Sequence, residues 1–199
     1  MKPVDIGKAY DLITDMWTSD KFDNDNGIPQ HRRATEFTKG RQTALDVGCG
    51  CNGRLFDLLI EYGFTPEGVD ISEKMIKIAQ KKYPDIKLYH QDICVWEPPK
   101  RYDFITAWDS IWHVPFEENE RVLKKLFSKL NKGGVCIFSC GGTDTPGFKT
   151  DDYMGPTVYY STLGIPKFLN VIDRSGCIVR HLEYDQYPEL HAYIIVQKI

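Results

Sequence analysis

The sequence lacks any apolar run approaching the roughly 18 residues that a bilayer-crossing helix needs, so no membrane partner is expected. It lacks a basic tract. Its 25 Lys and Arg face 28 Asp and Glu, a net charge of −3, and the field is weakly repulsive to nucleic acid and anionic lipid alike. It also lacks a cysteine framework. Cys49, Cys51, Cys94, Cys136, Cys140 and Cys177 contain no CxxC pair and no repeated spacing, which points to free, mostly buried thiols and to no metal site. Internal repeats and low-complexity tracts are absent. The first residues, MKPVDIGKAYDLI, carry acids where a secretory leader is apolar, so a cytoplasmic protein is expected. What remains is ordinary for a globular chain: 199 residues, 42% hydrophobic and 27% charged, enough for one domain with a proper core.

Within that frame, strands and helices alternate. Ile6, Tyr10, Ile13 and Trp17 fall on one face of an opening helix over 5–18. SDKFDNDNG is a loop by composition, and a second helix runs from Pro29 to Gly40. Strands are predicted at 43–47, 64–70, 86–90, 102–108, 135–139, 178–184 and 192–196. Helices are predicted between them, one capped by Ser72 and one marked by Val122, Leu123, Leu126, Phe127 and Leu130. Gly133–Gly134 is read as a turn, and a roughly twenty-residue irregular stretch follows the fifth strand. The alternation implies an α/β doubly wound, mainly parallel seven-stranded sheet with helices on both faces and ligands at the carboxyl ends of the strands. DQYPELH is too short for a helical crossover, so the last strand should run antiparallel.

The chemistry concentrates in LDVGCGCNG, residues 45–53. Gly48, Gly50 and Gly53 satisfy G-x-G-x-x-G after a strand, and Asp70 ends the next strand where an acid can bind ribose hydroxyls. This much is also the fingerprint of a dinucleotide dehydrogenase. Asp46 separates the readings. A carboxylate beside a pyrophosphate is repelled, whereas a ligand with a cationic amino-acid end tolerates it. Asp46 could instead cap the following turn.

At these residues the chain resembles the class I S-adenosylmethionine-dependent methyltransferases. LDVGCGCNG is similar to their first motif, GVDIS to their second-strand acid motif, and HQDI to their third. RYDFITAWDSIWHVP and LNKGGVCIFS hold the positions of the fourth and fifth strands. The resemblance spans about residues 41–140 and implies a Rossmann-like fold and S-adenosylmethionine as cofactor. It implies that Asp46, Gly48, Cys49 and Gly50 meet the cofactor's amino-acid end, that Asp70 holds both ribose hydroxyls, that Ile71 and Ile93 flank the adenine, and that Asp92 accepts from its amino group. Gly53 sits one residue later than the third glycine of many relatives.

Four segments carry the remaining candidates. In AWDSIWH, Trp108 and Trp112 either belong to the core or flank a sulfonium or substrate, and Asp109 and His113 are polar groups near the reaction. Residues 141–162 are either a lid or a surface loop, with Tyr153, Tyr159 and Tyr160 as substrate candidates. DQYPELH adds Gln186, Tyr187 and His191. Residues 1–40 form an N-terminal helical cap, whose Tyr10 and Trp17 either close over the cofactor or pack on the core; residues 163–199 supply the last helix and two strands. The implied reaction is methyl transfer by direct displacement to a small-molecule acceptor. The departing group is a neutral thioether, so alignment supplies much of the acceleration. His113, His191 and Asp109 are the candidate bases for an acceptor that needs one. The acceptor atom is not legible. The chain has no Asn/Asp-Pro-Pro-Tyr after its fourth strand, the tetrapeptide that enzymes methylating DNA or glutamine amino groups carry there. Two other readings stand beside this one, an NAD-binding oxidoreductase and a degenerate cofactor-binding protein that acts through partners. A monomer or homodimer is expected.

Overall fold

The computed structural model describes residues 1–199. The chain opens with α1 (Pro3–Leu12), α2 (Thr14–Thr18) and α3 (Ile28–Thr35). There follow β1 (Thr43–Val47), α4 (Arg54–Glu61), β2 (Thr65–Asp70), α5 (Glu73–Lys82), β3 (Lys87–His90) and β4 (Tyr102–Ala107). After a 3₁₀ turn (Ile111–His113) come α6 (Phe116–Ser128), β5 (Leu130–Gly141), β6 (Gly147–Asp151), β7 (Val158–Thr162), α7 (Ile165–Arg174), β8 (Cys177–Glu183) and β9 (His191–Lys198).

Seven strands form one sheet in the order β3-β2-β1-β4-β5-β9-β8. All pairings are parallel except those of β9, which runs antiparallel to both β5 and β8. Period-two alternation sorts the side chains onto the two faces. Leu45, Val47, Ile105, Ala107, Cys136 and Phe138 join the core under α6 and α7, with Leu123, Leu126 and Phe168. Ala44, Phe104, Val135 and Ile137 join the opposite core with Ala34 of α3 and Leu55 and Leu59 of α4. Each such large side chain stabilises the fold by about 1.5–3 kcal/mol through burial. Ser72 caps α5 by accepting the Met75 N–H at 3.1 Å.

Four local readings change. The opening helix breaks at Ile13, whose side chain stays buried while the chain turns. The helical spacing persists because both halves present the same face. In the second helix, the Thr35 hydroxyl bonds back to the Arg32 carbonyl and Thr38 bonds Gly40 O, so α3 ends at Thr35. Gly133–Gly134 lies inside β5 at a register shift between Tyr102 and Phe104, a bulge with Gly133 at φ 79°. The stretch read as irregular contains an antiparallel hairpin, β6 with β7.

Candidate functional site

A cavity of about 390 Å³ opens at the carboxyl ends of β1, β2 and β4 and is roofed by α1, α2 and the β6–β7 hairpin. Its floor is the glycine turn. The N–H groups of Gly48 and Cys49 both donate to Val69 O, at 2.8 and 3.1 Å, which binds the turn to β2. Gly48, at φ 74°, leaves no room for a side chain, because a Cβ there would stand 2.2 Å from Ser110 Cβ. Gly50, at φ 59°, faces open space. Gly53 does not line the cavity; it caps α4 against the Tyr83 ring, 2.0 Å from a Cβ position.

Asp70 ends β2 with one backbone bond on each oxygen: Gly50 N–H donates to Oδ2 and Ser72 N–H to Oδ1, both at 2.8 Å. A carboxylate has about four lone-pair sites, so each oxygen keeps one for a diol. Burial pushes its pKa up, and the surrounding backbone N–H groups, with His90 nearby, oppose that push. Ile71, Asp92 and Ile93 line the same end, and Asp92 Oδ1 is steadied by the Cys94 N–H at 2.8 Å.

The opposite end is held by hydrogen-bonded rings. His113 is buried. Its Nδ1 stands 2.7 Å from Tyr159 O, an acceptor only, so that nitrogen carries the proton. Its Nε2 accepts from the Tyr10 hydroxyl at 2.7 Å and the Trp112 indole at 3.0 Å. Burial lowers its pKa to about 4, keeping the ring neutral. Burial, reinforced by Tyr160 and Asp70, likewise raises the pKa of Tyr10 and keeps it a phenol. His191 is the reverse case. Its Nδ1 bonds Asp185 Oδ1 at 2.5 Å and its Nε2 bonds Asp109 Oδ1 at 3.1 Å. Burial works against its charge, but the two carboxylates outweigh burial and raise its pKa. For Asp109 burial is again outweighed, by the hydrogen bonds from His191 and Asn26 and by nearby Arg54, so the carboxyl lies below its usual range.

Of the residues singled out from the sequence, Tyr10, Trp17, Gly48, Cys49, Gly50, Asp70, Ile71, Asp92, Ile93, Trp108, Asp109, Trp112, His113, Tyr160, Gln186 and His191 line this cavity. Four do not. Asp46 shares the parity of Ala44, so it leaves β1 on the α3/α4 side; it is buried, makes no side-chain hydrogen bond, and burial pushes its pKa to about 7 despite Arg54. Tyr159 alternates with Tyr160 along β7 and turns away to stack on Phe148, at a centroid distance of 5.8 Å. Tyr153 and Tyr187 are 94% and 84% exposed. Trp108 is both wall and core, since it is buried among Phe104 and Tyr193 while its Nε1 donates to Asn26 Oδ1 at 3.1 Å.

Sequence reasoning passed over Asn26, Arg54 and Ser110, all of which line the cavity, and Asp185, the partner of His191. Only Arg54 left a signal, as the single cation directly after the glycine turn. No three side chains among His, Cys, Asp and Glu are grouped to hold a metal ion. No helix is long and apolar enough to cross a membrane.

Comparison with known proteins places the chain in a family. Phosphoethanolamine N-methyltransferase 2 of Caenorhabditis elegans is 27% identical over 164 residues, covering 77% of this chain and 36% of that protein. Ubiquinone biosynthesis O-methyltransferase of Coxiella burnetii is 34% identical over 106 residues, covering 51% of this chain and 44% of that protein. The chain thus spans less than half the length of either relative. The solved structure of magnesium protoporphyrin IX methyltransferase from Synechocystis PCC 6803, with bound S-adenosylmethionine, superposes with a TM-score of 0.70 at 17% identity, covering 100% of this chain and 98% of that one. The family described as "Methyltransferase domain" matches residues 23–153, more than half of the sequence. The fold is the Rossmann-like fold of these enzymes, and the chain belongs to the methyltransferase domain family.

Proposed function

We propose that the protein transfers the methyl group of S-adenosylmethionine to a small-molecule acceptor by direct displacement. The observation that carries this reading is Asp70, a strand-end carboxylate tied to the glycine turn and to the α5 N-terminus with one lone pair spare on each oxygen. That arrangement fits a ribose diol, and the cavity continues from it in both directions. Asp92, Ile71 and Ile93 would hold the adenine, and Gly48, Cys49 and Gly50 admit the chain that follows the ribose. When bound, the cofactor supplies an electrophilic methyl group and departs as a neutral thioether.

The residues of this chain align and enclose. Tyr10 and Trp17, with ring centroids 5.3 Å apart, cover the cavity from the N-terminal side. Trp112, Tyr160 and Gln186 line the acceptor end. Neither histidine has a free nitrogen to take a proton: His113 Nε2 already accepts two donors, and both nitrogens of His191 face carboxylates. We therefore assign His113 and His191 to positioning and place the acceleration in alignment, which can supply about 7–11 kcal/mol. The small-molecule acceptor is supported by the acidic charge balance and by relatives named for phosphoethanolamine and for ubiquinone biosynthesis.

Calorimetric titration with S-adenosylhomocysteine, with NAD as control, tests the reading. Micromolar binding of the thioether nucleoside, lost in Asp70→Ala, is expected. Binding of NAD alone would overturn it.

A further inference from the structure

Resting on that reading, we infer that the amino-acid end of the cofactor is recognised by Arg54 and Asp109, joined through Asn26, and not by the glycine-turn acid Asp46. The resemblance to known methyltransferases gives this work to Asp46. Here Asp46 lies under the turn, outside the cavity.

The charges on the cavity wall leave few candidates. Asp70 and Asp92 are at the nucleoside end. His191 is fully engaged by two carboxylates. Arg54 is the only Lys or Arg among the lining residues. Its guanidinium is fixed on two of its three nitrogens. Nε donates to the Asn26 carbonyl at 2.9 Å and Nη1 to Asn52 Oδ1 at 3.3 Å, and the group lies 5.1 Å over the Phe22 ring. Nη2 has no protein partner, so a rigidly held cation presents one unused face. That is the geometry that receives a carboxylate.

Asp109 is its counterpart. It is the only non-glycine residue with positive φ, at 51°, and its Oδ1 accepts from His191 Nε2 at 3.1 Å and Ser139 Oγ at 3.2 Å. Its Oδ2 accepts only from Asn26 Nδ2, at 3.1 Å, which leaves room for an ammonium. Asn26 thus holds the cation through its main chain and the anion through its side chain. Its own Oδ1 is anchored by Trp108. The neighbouring Gly27, at φ 84°, lets the segment lie against that indole, where a Cβ would come within 2.8 Å of Nε1. A cation and an anion fixed on one asparagine match the carboxylate and ammonium of one α-amino acid. The strand order β2-β1-β4 sets Asp109 one strand beyond the glycine turn, on the side away from Asp70, while Arg54 opens α4 directly after that turn.

The test uses two probes, S-adenosylhomocysteine and 5′-methylthioadenosine. They share the nucleoside and the thioether, and only the first carries the amino acid. Both affinities are measured on wild type, Arg54→Met, Asp109→Asn and Asp46→Asn. We expect Arg54→Met and Asp109→Asn each to weaken S-adenosylhomocysteine by about ten- to a hundredfold, the loss of a charged hydrogen bond. Methylthioadenosine should change less than about twofold, which also reports that the variants fold. Asp46→Asn should leave both affinities near wild type. Equal weakening of both probes by Arg54→Met, or no weakening, would overturn the assignment while the cofactor reading stands. So would an Asp46→Asn loss confined to S-adenosylhomocysteine. A wild-type protein that binds neither probe would instead remove the cofactor reading on which the assignment rests.

Discussion

Asp46 offers a prediction that runs against the usual effect of altering a motif residue: Asp46→Asn should stabilise the protein at alkaline pH. The residue is 3% exposed, its carboxyl has no hydrogen bond, and burial moves its pKa from 3.8 to about 7. A folded-state pKa above the unfolded value means that the ionised form is disfavoured in the fold. The cost is therefore complete above pH 7 and fades as pH falls through 7 towards 3.8. At about 1.4 kcal/mol per pKa step, the full cost is roughly 4 kcal/mol at pH 8.5 and under about 2 kcal/mol at pH 5. Asparagine copies the shape of the protonated acid and does not titrate. The gain of Asp46→Asn over wild type should thus grow by roughly 2–3 kcal/mol between pH 5 and pH 8.5. For a chain of this size that is a Tm difference widening by very roughly 5–10 °C. Urea denaturation of both proteins without ligand, at the two pH values, measures it. A difference that does not change with pH, or an asparagine variant less stable than wild type at pH 8.5, would refute the reasoning and return Asp46 to a solvated or ligand-facing role.

The glycine turn and two buried histidines give the remaining outcomes. Gly48→Ala should fail to fold or lose several kcal/mol, because its Cβ would collide with Ser110 at 2.2 Å. Gly50→Ala should cost only about 1–2 kcal/mol of backbone strain but abolish S-adenosylhomocysteine binding, since its Cβ enters the space the ligand needs; thermal melts beside calorimetry separate the two. Burial also takes His31 and His113 down to about 4. The unfolded chain binds those two protons first as pH falls from about 6.5 to 4, while the folded state gains one at Asp46. Each histidine steepens the loss of stability by up to about 1.4 kcal/mol per pH unit in that window, and replacing either by glutamine should lessen the slope by that much in urea titrations.

Much of the sheet was legible because its signals are local. Thr43–Val47 is a β-branched and aliphatic run closed by a glycine, and Ser72 with its helix is a local cap; each is decided by neighbours within four residues. The hairpin was not legible. Gly147–Asp151 is mostly exposed and carries no apolar alternation, so only its pairing with Val158–Thr162 makes it a strand. The cavity-lining turn and Asp70 could be read from order and spacing, whereas the polar partners could not. Asn26 meets Asp109 across 83 residues, and Gln30 meets Asp185 across 155. Asp46 misled for a different reason. Its spacing in the motif says nothing of which face of β1 it leaves, and in a strand covered on both sides either face is buried.

The same long-range bonds turn His113 from a candidate base into a joint. Three separate parts of the roof meet on its ring: Tyr10 from α1, Trp112 from the 3₁₀ turn, and Tyr159 from β7. β7 is also tied to β5 by Thr162 Oγ1 on Gly141 O and to Val114 O by Ser161 Oγ, both at 2.7 Å, but α1 has no other side-chain hydrogen bond to the hairpin, so the ring is their polar joint. His113→Phe keeps the packing with Tyr10 and Tyr160, whose rings lie 5.3 and 4.9 Å away, and removes every hydrogen bond. A buried partner left unsatisfied costs about 1–3 kcal/mol, which lowers the free energy of local opening by the same amount. Amide hydrogen exchange over residues 3–12 and 147–162 should therefore quicken by roughly five- to 150-fold in both segments together, with the strands β1, β4 and β5 unchanged. Acceleration in one segment alone would mean that α1 and the hairpin close independently, and that His113 serves only the side that moved.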